Sequence, residues 1–378
     1  MPAKILFYVQ YLLGIGHVRR SALIIDALVA QGAQVDVIFG GVDVPGIQFS
    51  GARVHRLTPI KSADAAFSAL VKHDGSEFSE ADKHERSLAL LDICERVQPD
   101  LIVTETYPFG RRQMRFELLP LLAWVREQES PPVLVASIRD ILQQRSQARE
   151  DECLALIAAH YQHVLVHGDE RFLPLETSFP KADAIADKLS YSGYVCPRYT
   201  GKKVLQPSIV VSIGGGSVGR EILDAALALN RSGYAWDKHW TLITGPNMDA
   251  ADKAYFKGAA GGNVSVVDMA DNFLQLLANA EVSISMAGYN TVMDLLQVNT
   301  PAVVIPFEGS GETEQRMRSQ ALESSGVLQS VSWNELSADT LAQAMQRAIA
   351  SYTQGLSIRS DGAKRSAQML MTWAGVEQ

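Results

Sequence analysis

Residues 285–294 read Ser285-Met-Ala-Gly288-Tyr-Asn290-Thr291-Val-Met-Asp294, and Pro301-Ala-Val-Val-Ile-Pro306-Phe-Glu-Gly309 and Glu314-Gln315 follow at short intervals. An apolar strand is predicted to end at Ser285, with Gly288, Asn290 and Thr291 forming the turn and the first residues of a helix. The N–H groups and the dipole of such a helix start can hold a diphosphate. An ordinary helix cap explains this first part of the series but not the residues that follow it.

The residues after the turn suit a polyol. Asp294 lies one turn inside the predicted helix, where a carboxylate can accept two hydrogen bonds from the vicinal hydroxyls of a ribose or hexose. Glu314 and Gln315 supply a second carboxylate and an amide after the next strand. The spacing therefore predicts a site for a diphosphate linked to sugars.

The regions on both sides of this series alternate between apolar runs of strand length and amphipathic stretches of helix length, which is typical of parallel α/β sheets. In the first half we predict strands at 4–9, 34–39, 53–57, 101–104, 133–137 and 163–166, and helices at 19–31, 83–98, 116–127 and 151–161. In the second half we predict strands at 208–213, 240–244, 264–267, 282–285 and 302–305, and helices at 220–232, 269–279, 291–297, 314–325 and 338–352. The polar segment 59–82 lacks clear periodicity and is predicted to be a long loop or a broken helix, a candidate lid on the acceptor side.

A polar segment containing Pro, Gly and Lys interrupts the pattern at 197–207 and reads as a linker. We therefore predict an N-terminal Rossmann-like domain at 1–196, a C-terminal nucleotide-sugar-binding domain at 208–355, and a C-terminal helix within 356–378 that crosses back to the first domain. Two βαβ domains of this kind place their parallel sheets toward a cleft between them, and we expect the site there.

Composition narrows the function classes. The chain has 378 residues, of which 47% are hydrophobic and 20% charged, a balance typical of globular rather than disordered proteins. A formal net charge of −8 disfavours nucleic acid and anionic membrane surfaces as partners. Its cysteines, Cys94, Cys153 and Cys196, form no C-x-x-C pair, and no stretch is long enough to span a bilayer, so a cytoplasmic protein without a zinc site is expected.

Two glycine turns follow predicted strands. Gly14 and Gly16 precede a helix that carries Arg20, an arrangement that favours binding of a phosphate or acceptor group. The turn lacks the G-x-G-x-x-G pattern of dinucleotide-binding folds, which disfavours NAD as a ligand. The second turn contains Gly214, Gly215, Gly216 and Ser217, and it favours close approach of backbone N–H groups to a phosphate or sugar. A plain flexible loop remains an alternative for the second turn.

His17 follows the first glycine turn, where an imidazole can take a proton from a hydroxyl near neutral pH. The alternative is that it caps the helix or forms a hydrogen bond with a backbone carbonyl. Glu105 and Asp140 end neighbouring predicted strands, and each could orient His17 as a buried acid orients a catalytic imidazole. For Arg139 and Asp140 the alternative is an ion pair that holds loops.

At these residues the sequence resembles a known family. The second half is similar to the family 28-type C-terminal domain of the peptidoglycan transferase that attaches N-acetylglucosamine to lipid I. The whole chain resembles bacterial predicted glycosyltransferases of the GT-B superfamily. The motifs that carry the resemblance are G-I-G-H-V-R-R at 14–20, P-D-L-I-V-T-E-T-Y-P-F-G-R-R at 99–112, S-I-R-D at 137–140, V-H-G-D at 166–169, Y-S-G-Y-V at 191–195, and the series at 285–315.

The resemblance implies specific roles. Asp294 stands where the superfamily binds the donor's ribose, and Glu314 with Gln315 stands where it binds the donor sugar. Gly288, Asn290 and Thr291 would contact the diphosphate, and the backbone near Met269 would contact the nucleobase. His17 matches the histidine that inverting relatives place near the acceptor, and Glu105 falls near its acidic partner.

These observations predict a glycosyltransferase that moves a hexose or N-acetylhexosamine-type sugar from a UDP-sugar to an acceptor hydroxyl with inversion. The acceptor could be a saccharide, a lipid-linked molecule or a small molecule. The chain contains no D-x-D triplet, so no metal or other cofactor is expected. The alternatives are a nucleotide-sugar hydrolase or 2-epimerase on the same fold, and a non-catalytic nucleotide-sugar-binding protein.

Overall fold

The computed structural model describes residues 2–12, 16–44, 46–63, 69–143, 145–216, 218–309, 313–351 and 359–376. The chain forms two compact units, the first containing Met1–Cys196 with Asp361–Gln378 and the second containing Pro197–Ser360. Each unit is an α/β layer structure built on a parallel sheet.

The strands of the first unit are Lys4–Val9 (β1), Gln34–Phe39 (β2), Arg53–Arg56 (β3), Ile60–Ser62 (β4), Leu70–Lys72 (β5), Leu101–Glu105 (β6), Val133–Arg139 (β7), His163–His167 (β8) and Leu189–Tyr191 (β9). Its helices are Gly16–Ala30 (α1), Glu80–Val97 (α2), Arg115–Glu127 (α3) and Gln147–His160 (α4). The main sheet has the order β3-β2-β1-β6-β7-β8-β9, and all its pairs are parallel.

The second unit contains the strands Ser208–Ser212 (β10), His239–Ile243 (β11), Val264–Val267 (β12), Val282–Met286 (β13), Ala302–Ile305 (β14) and Gln329–Ser330 (β15). Its helices are Arg220–Arg231 (α5), Ala250–Gly258 (α6), Phe273–Asn279 (α7), Tyr289–Val298 (α8), Glu314–Ser324 (α9) and Ala338–Ala350 (α10). The parallel sheet has the order β12-β11-β10-β13-β14-β15.

Alternation along β1 explains the layers of the first unit. Leu6 and Tyr8 belong to an apolar core that includes residues of α2, α3 and α4, whereas Ile5, Phe7 and Val9 belong to the core on the other face, with α1. The last helix, Gly362–Trp373 (α11), packs on α1 in this second core. The sheet is therefore buried on both faces, which is the reason its strands read as continuous apolar runs.

The structure corrects the predicted loop at 59–82. Strands β4 and β5 form an antiparallel pair there, and Gly75 has a φ of +90° next to an Asp74 carboxylate that accepts a 2.9 Å hydrogen bond from the backbone N–H of Ser76. Helix α2 begins at Glu80 because Ser79 and Asp82 form a reciprocal capping box. Of the predicted lid, residues 64–68 lie outside the described residues.

Two further differences concern the second unit. The helix predicted from Met269 begins only at Phe273, because the Asn272 side chain caps it by accepting from the N–H of Gln275. Helix α6 was not predicted, and it begins where the Asp249 side chain accepts from the N–H of Ala251.

Candidate functional site

The first group of candidate residues lies at the switch point of the first sheet. From the central strand β1 the chain builds outward through β2 and β3 on one side and through β6 to β9 on the other. Connections that diverge in this way leave a crevice at the carboxyl ends of the two central strands. His17 in the first turn of α1, Glu105 at the end of β6 and Arg139 at the end of β7 are all at this edge.

His17 contacts two groups through the same ring nitrogen. Its Nε2 atom lies 3.0 Å from the carbonyl oxygen of Gln10 and 3.0 Å from a guanidinium nitrogen of Arg111. With a proton on Nε2 the ring donates to Gln10, and without it the ring accepts from Arg111. The Tyr11 ring stacks beside the imidazole at a centroid distance of 6.4 Å.

The electrostatic environment keeps His17 neutral. Burial lowers its pKa well below the ordinary value, and the positive charges of Arg111, Arg20 and Arg139 lower the pKa further. The hydrogen bond to Gln10 opposes these effects without overcoming them. At neutral pH the imidazole is therefore in the form that can accept a proton.

Glu105 does not orient His17, which corrects the sequence-based prediction. Its buried carboxylate forms an ion pair with Arg20 and accepts a 2.7 Å hydrogen bond from the Ser137 hydroxyl. Arg20 takes this position because it lies one helical turn after His17 on α1. The cation next to the imidazole is Arg111, which the sequence analysis included only as part of the motif at 99–112.

A buried network behind Glu105 fixes the carboxylate. Since the Ser137 hydroxyl donates to Glu105, it accepts from Nε2 of His167 at 2.9 Å, and Nδ1 of His167 faces the Ser192 hydroxyl at 3.1 Å. Burial holds the pKa of His167 well below its ordinary value, so this ring is neutral as well. The ends of β6, β7 and β8 are thus joined by side chains that set the position of Glu105.

Asp140 has a structural role. Its buried carboxylate accepts hydrogen bonds of 2.9 Å from the Tyr194 hydroxyl and 2.9 Å from the N–H of Ile141. Asp140 is not among the hydrogen-bond partners of His17. These contacts favour the alternative from the sequence analysis, in which Asp140 holds loops, although the partners found here are Tyr194 and Ile141.

A buried ion pair holds Gln10, the residue whose backbone carbonyl contacts His17. Arg86 and Glu117 are fully buried, and Nε of Arg86 donates to Glu117 at 2.7 Å. Arg86 also donates to the side-chain oxygen of Gln10, whose amide NH2 donates to the carbonyl of Gly40 at 2.8 Å. A β-carbon at Gly40 would lie 1.9 Å from Oε1 of Gln10 and 2.1 Å from a guanidinium nitrogen of Arg86, so a larger residue there would displace both side chains. The sequence analysis assigned no role to Arg86 or Glu117.

The second group of candidate residues lies at the corresponding switch point of the second sheet, between β10 and β13. Gly214 and Gly216, after β10, have φ angles of +67° and +84°. A β-carbon at Gly216 would lie 2.4 Å from the carbonyl oxygen of Thr244, whereas one at Gly215 would meet only Asn247 at 3.6 Å. The turn thus packs on one side and is open on the other. Ser217 and Gly14 lie outside the described residues.

Helix α8 begins beside this turn. Gly288 is its N-cap, in extended backbone with a φ of −62°, and no atom of the described residues lies within 4 Å of where its β-carbon would be. Within the described residues the backbone N–H groups of Asn290 and Thr291 have no acceptor. Asp294 is buried on the same face as Asn290, one turn further along. The predicted diphosphate and ribose residues are therefore brought together.

Glu314 and Gln315 are partly engaged in holding the protein itself. Glu314 pairs with the fully buried Arg318 at 2.9 Å, and the Arg318 guanidinium lies 4.9 Å from the centroid of the Tyr289 ring. The Gln315 side-chain oxygen accepts from the N–H of Phe307 at 3.1 Å. For Gln315 the NH2 group has no acceptor in the described part of the chain. Sequence reasoning missed Arg318, although its position four residues after Glu314 is the signal for a helical ion pair.

The residues predicted near a nucleobase are exposed. The Met269 side chain is 67% exposed, and Asp268 beside it is held by Lys257 at 3.0 Å and by the Thr244 hydroxyl at 3.3 Å. Met286, the last residue of β13, would lie 3.9 Å from a β-carbon at Gly214. Its thioether thus packs at the glycine turn.

Two searches of the described residues gave negative results. No three His, Cys, Asp or Glu side chains come together in an arrangement that could hold a metal ion. Within the same residues, every helix is too short or too polar to cross a bilayer.

Comparison with known proteins gives one family match. Residues 210–369 match the glycosyltransferase family 28 C-terminal domain. Over 132 residues the chain is 28% identical to the UDP-N-acetylglucosamine--N-acetylmuramyl-(pentapeptide) pyrophosphoryl-undecaprenol N-acetylglucosamine transferase of Thermosipho africanus, an alignment covering 35% of this chain and only 37% of that enzyme. The matched region therefore corresponds to about a third of the length of that relative.

Two further comparisons cover the whole chain. An uncharacterized glycosyltransferase of Methanosarcina mazei is 23% identical over an alignment of 393 positions that covers 96% of each protein. The crystal structure of Acinetobacter baumannii MurG superposes with a TM-score of 0.64 at 12% identity, covering 98% of this chain and 99% of that one. At this identity the likeness shows a shared fold, which is GT-B.

Proposed function

We propose, from a GT-B fold and a second unit that matches the glycosyltransferase family 28 C-terminal domain, that the chain is a glycosyltransferase that transfers a hexose or N-acetylhexosamine from a UDP-sugar to an acceptor hydroxyl. The name of the Thermosipho africanus relative gives UDP-N-acetylglucosamine as a substrate, which supports a UDP-sugar as donor here. An acceptor hydroxyl is supported by the neutral imidazole of His17, the group suited to removing its proton.

The observation that carries the proposal is the start of α8. Among the described residues the N–H groups of Asn290 and Thr291 have no acceptor, and they lie at the start of the helix that follows β13, the strand paired with the β10 strand that leads into the Gly214–Gly216 turn. A diphosphate there would receive N–H hydrogen bonds and the favourable end of the helix dipole. Asp294 on the same helix face would then accept from the ribose hydroxyls.

The chemistry we propose is a single displacement with inversion. His17 takes the proton of the acceptor hydroxyl, the acceptor oxygen forms a bond to the anomeric carbon, and the bond from that carbon to the diphosphate oxygen breaks. The N–H groups of α8 stabilise the charge on the departing nucleotide diphosphate. Because the chain lacks a D-x-D triplet, we propose that these groups act without a metal.

Glu105 acts indirectly in this scheme. Its ion pair with Arg20 fixes one of the cations that hold His17 neutral. Glu105 and Arg20 are therefore positioning residues for the proposed base.

A thermal-shift screen over UDP, TDP, GDP and ADP sugars tests the donor. A ligand at 100 times its dissociation constant stabilises the folded state by about 2.7 kcal/mol, so the UDP-sugar is expected to raise the melting temperature by several degrees. No shift with any of the four nucleotides would contradict the proposal.

A second experiment tests transfer itself. The donor that gives a shift is incubated with a panel of hydroxyl acceptors and, as the control, with none. Acceptor-dependent release of UDP is expected, and equal release of free sugar without an acceptor would instead indicate a hydrolase.

A further inference from the structure

A pocket in the first unit is rich in arginine. It lies beside the segment that follows β6 and the first turns of α3 and α4, and its cavity volume is about 20 Å³, or about 330 Å³ when all the space at its open mouth is counted. The charged side chains that line it are Arg112, Arg115, Arg145, Arg149 and Glu152. Four guanidinium groups thus face one carboxylate in a protein whose formal net charge is −8.

The carboxylate does not serve all four cations. Glu152 pairs with Arg112 at 3.2 Å and with Arg115. Within the described residues Arg145 and Arg149 have no carboxylate partner, and the buried Nε of Arg145 has no hydrogen-bond acceptor. Buried guanidinium donors are costly when unsatisfied, so this site has positive charge and donor capacity that the protein itself does not use.

Tyr107 points to the same conclusion independently. Tyr107 is 1% exposed and lines the pocket, yet its hydroxyl has no hydrogen-bond partner among the described residues. Burial raises the pKa of this phenol to about 12, with smaller effects from Arg115 and Glu152. The hydroxyl is therefore a protonated donor located among the charged groups of the pocket.

The backbone separates this pocket from the His17 group. Thr106 and Arg111 have φ angles of +71° and +56°, conformations that non-glycine residues rarely adopt. As a result Arg111 contacts His17, while its neighbour Arg112 contacts Glu152. The strained segment thus directs consecutive arginines to two different sites.

We propose that this pocket binds a phosphate-type oxyanion through Arg145, Arg149 and the Tyr107 hydroxyl. Planar guanidinium groups form paired hydrogen bonds with phosphate oxygens, and a phenol O–H adds a third direction. This site goes beyond the proposed transfer reaction, since its lining contains no residue of the donor series and no contact of His17. The phosphate belongs either to a soluble phosphate ester or to a lipid headgroup.

Calorimetric titration tests the proposal at constant ionic strength in chloride. The probes are inorganic phosphate, glycerol 3-phosphate, and vesicles of phosphatidylcholine with and without phosphatidic acid. The proteins are wild type, R145Q, R149Q and Y107F. The matched control is R126Q, which removes an exposed arginine of α3 outside the pocket.

We expect R145Q and R149Q to weaken binding of at least one phosphate probe by about tenfold or more, and R126Q to bind as wild type does. Y107F removes a hydroxyl that has no partner, so it should keep the wild-type melting temperature while binding the same probe several-fold more weakly. Binding confined to phosphatidic-acid vesicles identifies a headgroup, and binding of the soluble probes identifies a phosphate ester. Equal affinity of wild type, R145Q and Y107F for every probe, or no binding of any probe, overturns the proposal.

Discussion

His17 is surrounded by cations rather than by the acid expected from its sequence context. The sequence identified the histidine because it follows a strand and a glycine turn, and that local pattern is enough to place it at the sheet edge. Its partners come from Gln10 and Arg111, and the latter is 94 residues away. Whether Glu105 contacts His17 or Arg20 depends on side-chain competition across strands, which a local pattern does not encode.

The charges around His17 give a prediction for the pH dependence of activity. Because Arg111 lowers the pKa of His17, we expect Arg111→Gln to raise that pKa toward its ordinary value of about 6.5. The acid limb of the kcat/KM profile should therefore move to higher pH, while His17→Ala lowers turnover by about 100- to 10,000-fold. The measurement is kcat/KM against pH, with Arg126→Gln as the charge-matched control.

An acid limb that stays in place in Arg111→Gln would remove Arg111 from this role.

The lowered pKa values of two buried histidines also make the stability of the fold depend on pH. In the folded protein His17 and His167 have lowered pKa values, so below about pH 6.5 the unfolded chain binds protons that the native state does not. The free energy of unfolding therefore decreases as the pH is lowered below this value.

At the scale of elements, strands were better predicted than the starts of helices. Predicted strands 4–9, 34–39, 264–267 and 302–305 match the observed bounds, since buried parallel strands are continuous apolar runs. Helix α7 begins four residues later than predicted because the side chain of Asn272 competes for the backbone. Helix α6 was missed because its only buried residue, among those described, is Phe256.

The glycine turn after β10 gives a prediction at this scale. Gly216→Ala places a methyl group 2.4 Å from a carbonyl oxygen at a φ of +84°, so we expect it to lower stability by about 1–3 kcal/mol. Gly288→Ser is the control, because that position has a negative φ, open space and the favoured N-cap chemistry of serine. Calorimetric melting should show a decrease of several degrees only for Gly216→Ala, and equal melting of the two variants would contradict the packing described for the turn.

At the scale of the whole molecule, two parallel sheets were predictable from the alternation of strands and helices. The packing of the final helix is a long-range property. Helix α11 completes a core together with α1, and Gly362 fits closely against the backbone of Tyr194, where a β-carbon would lie 2.6 Å from the Tyr194 carbonyl oxygen. Periodicity reports that a segment is helical but not which surface it covers.

This packing predicts that the last helix is required for the stability of the first unit. Leu370 is fully buried against the sheet, so Leu370→Ala should cost about 2–5 kcal/mol. Leu88→Ala is the matched control, since Leu88 is 53% exposed in the same unit and surface changes are usually within about 0.5 kcal/mol. Chemical denaturation measures both, and similar midpoints for the two variants would disprove the role of α11.

In the proposed function the second unit holds a nucleotide diphosphate sugar at the start of α8, with Asp294 on the ribose. Calorimetric titration of a UDP-sugar into wild type, Asp294→Ala and the exposed control Asp339→Asn tests it most directly. Loss of hydrogen bonds to a charged acceptor predicts a dissociation constant about ten- to a hundredfold higher for Asp294→Ala, with Asp339→Asn equal to wild type. Equal dissociation constants for all three proteins would contradict the proposed contact between Asp294 and the ribose of the donor.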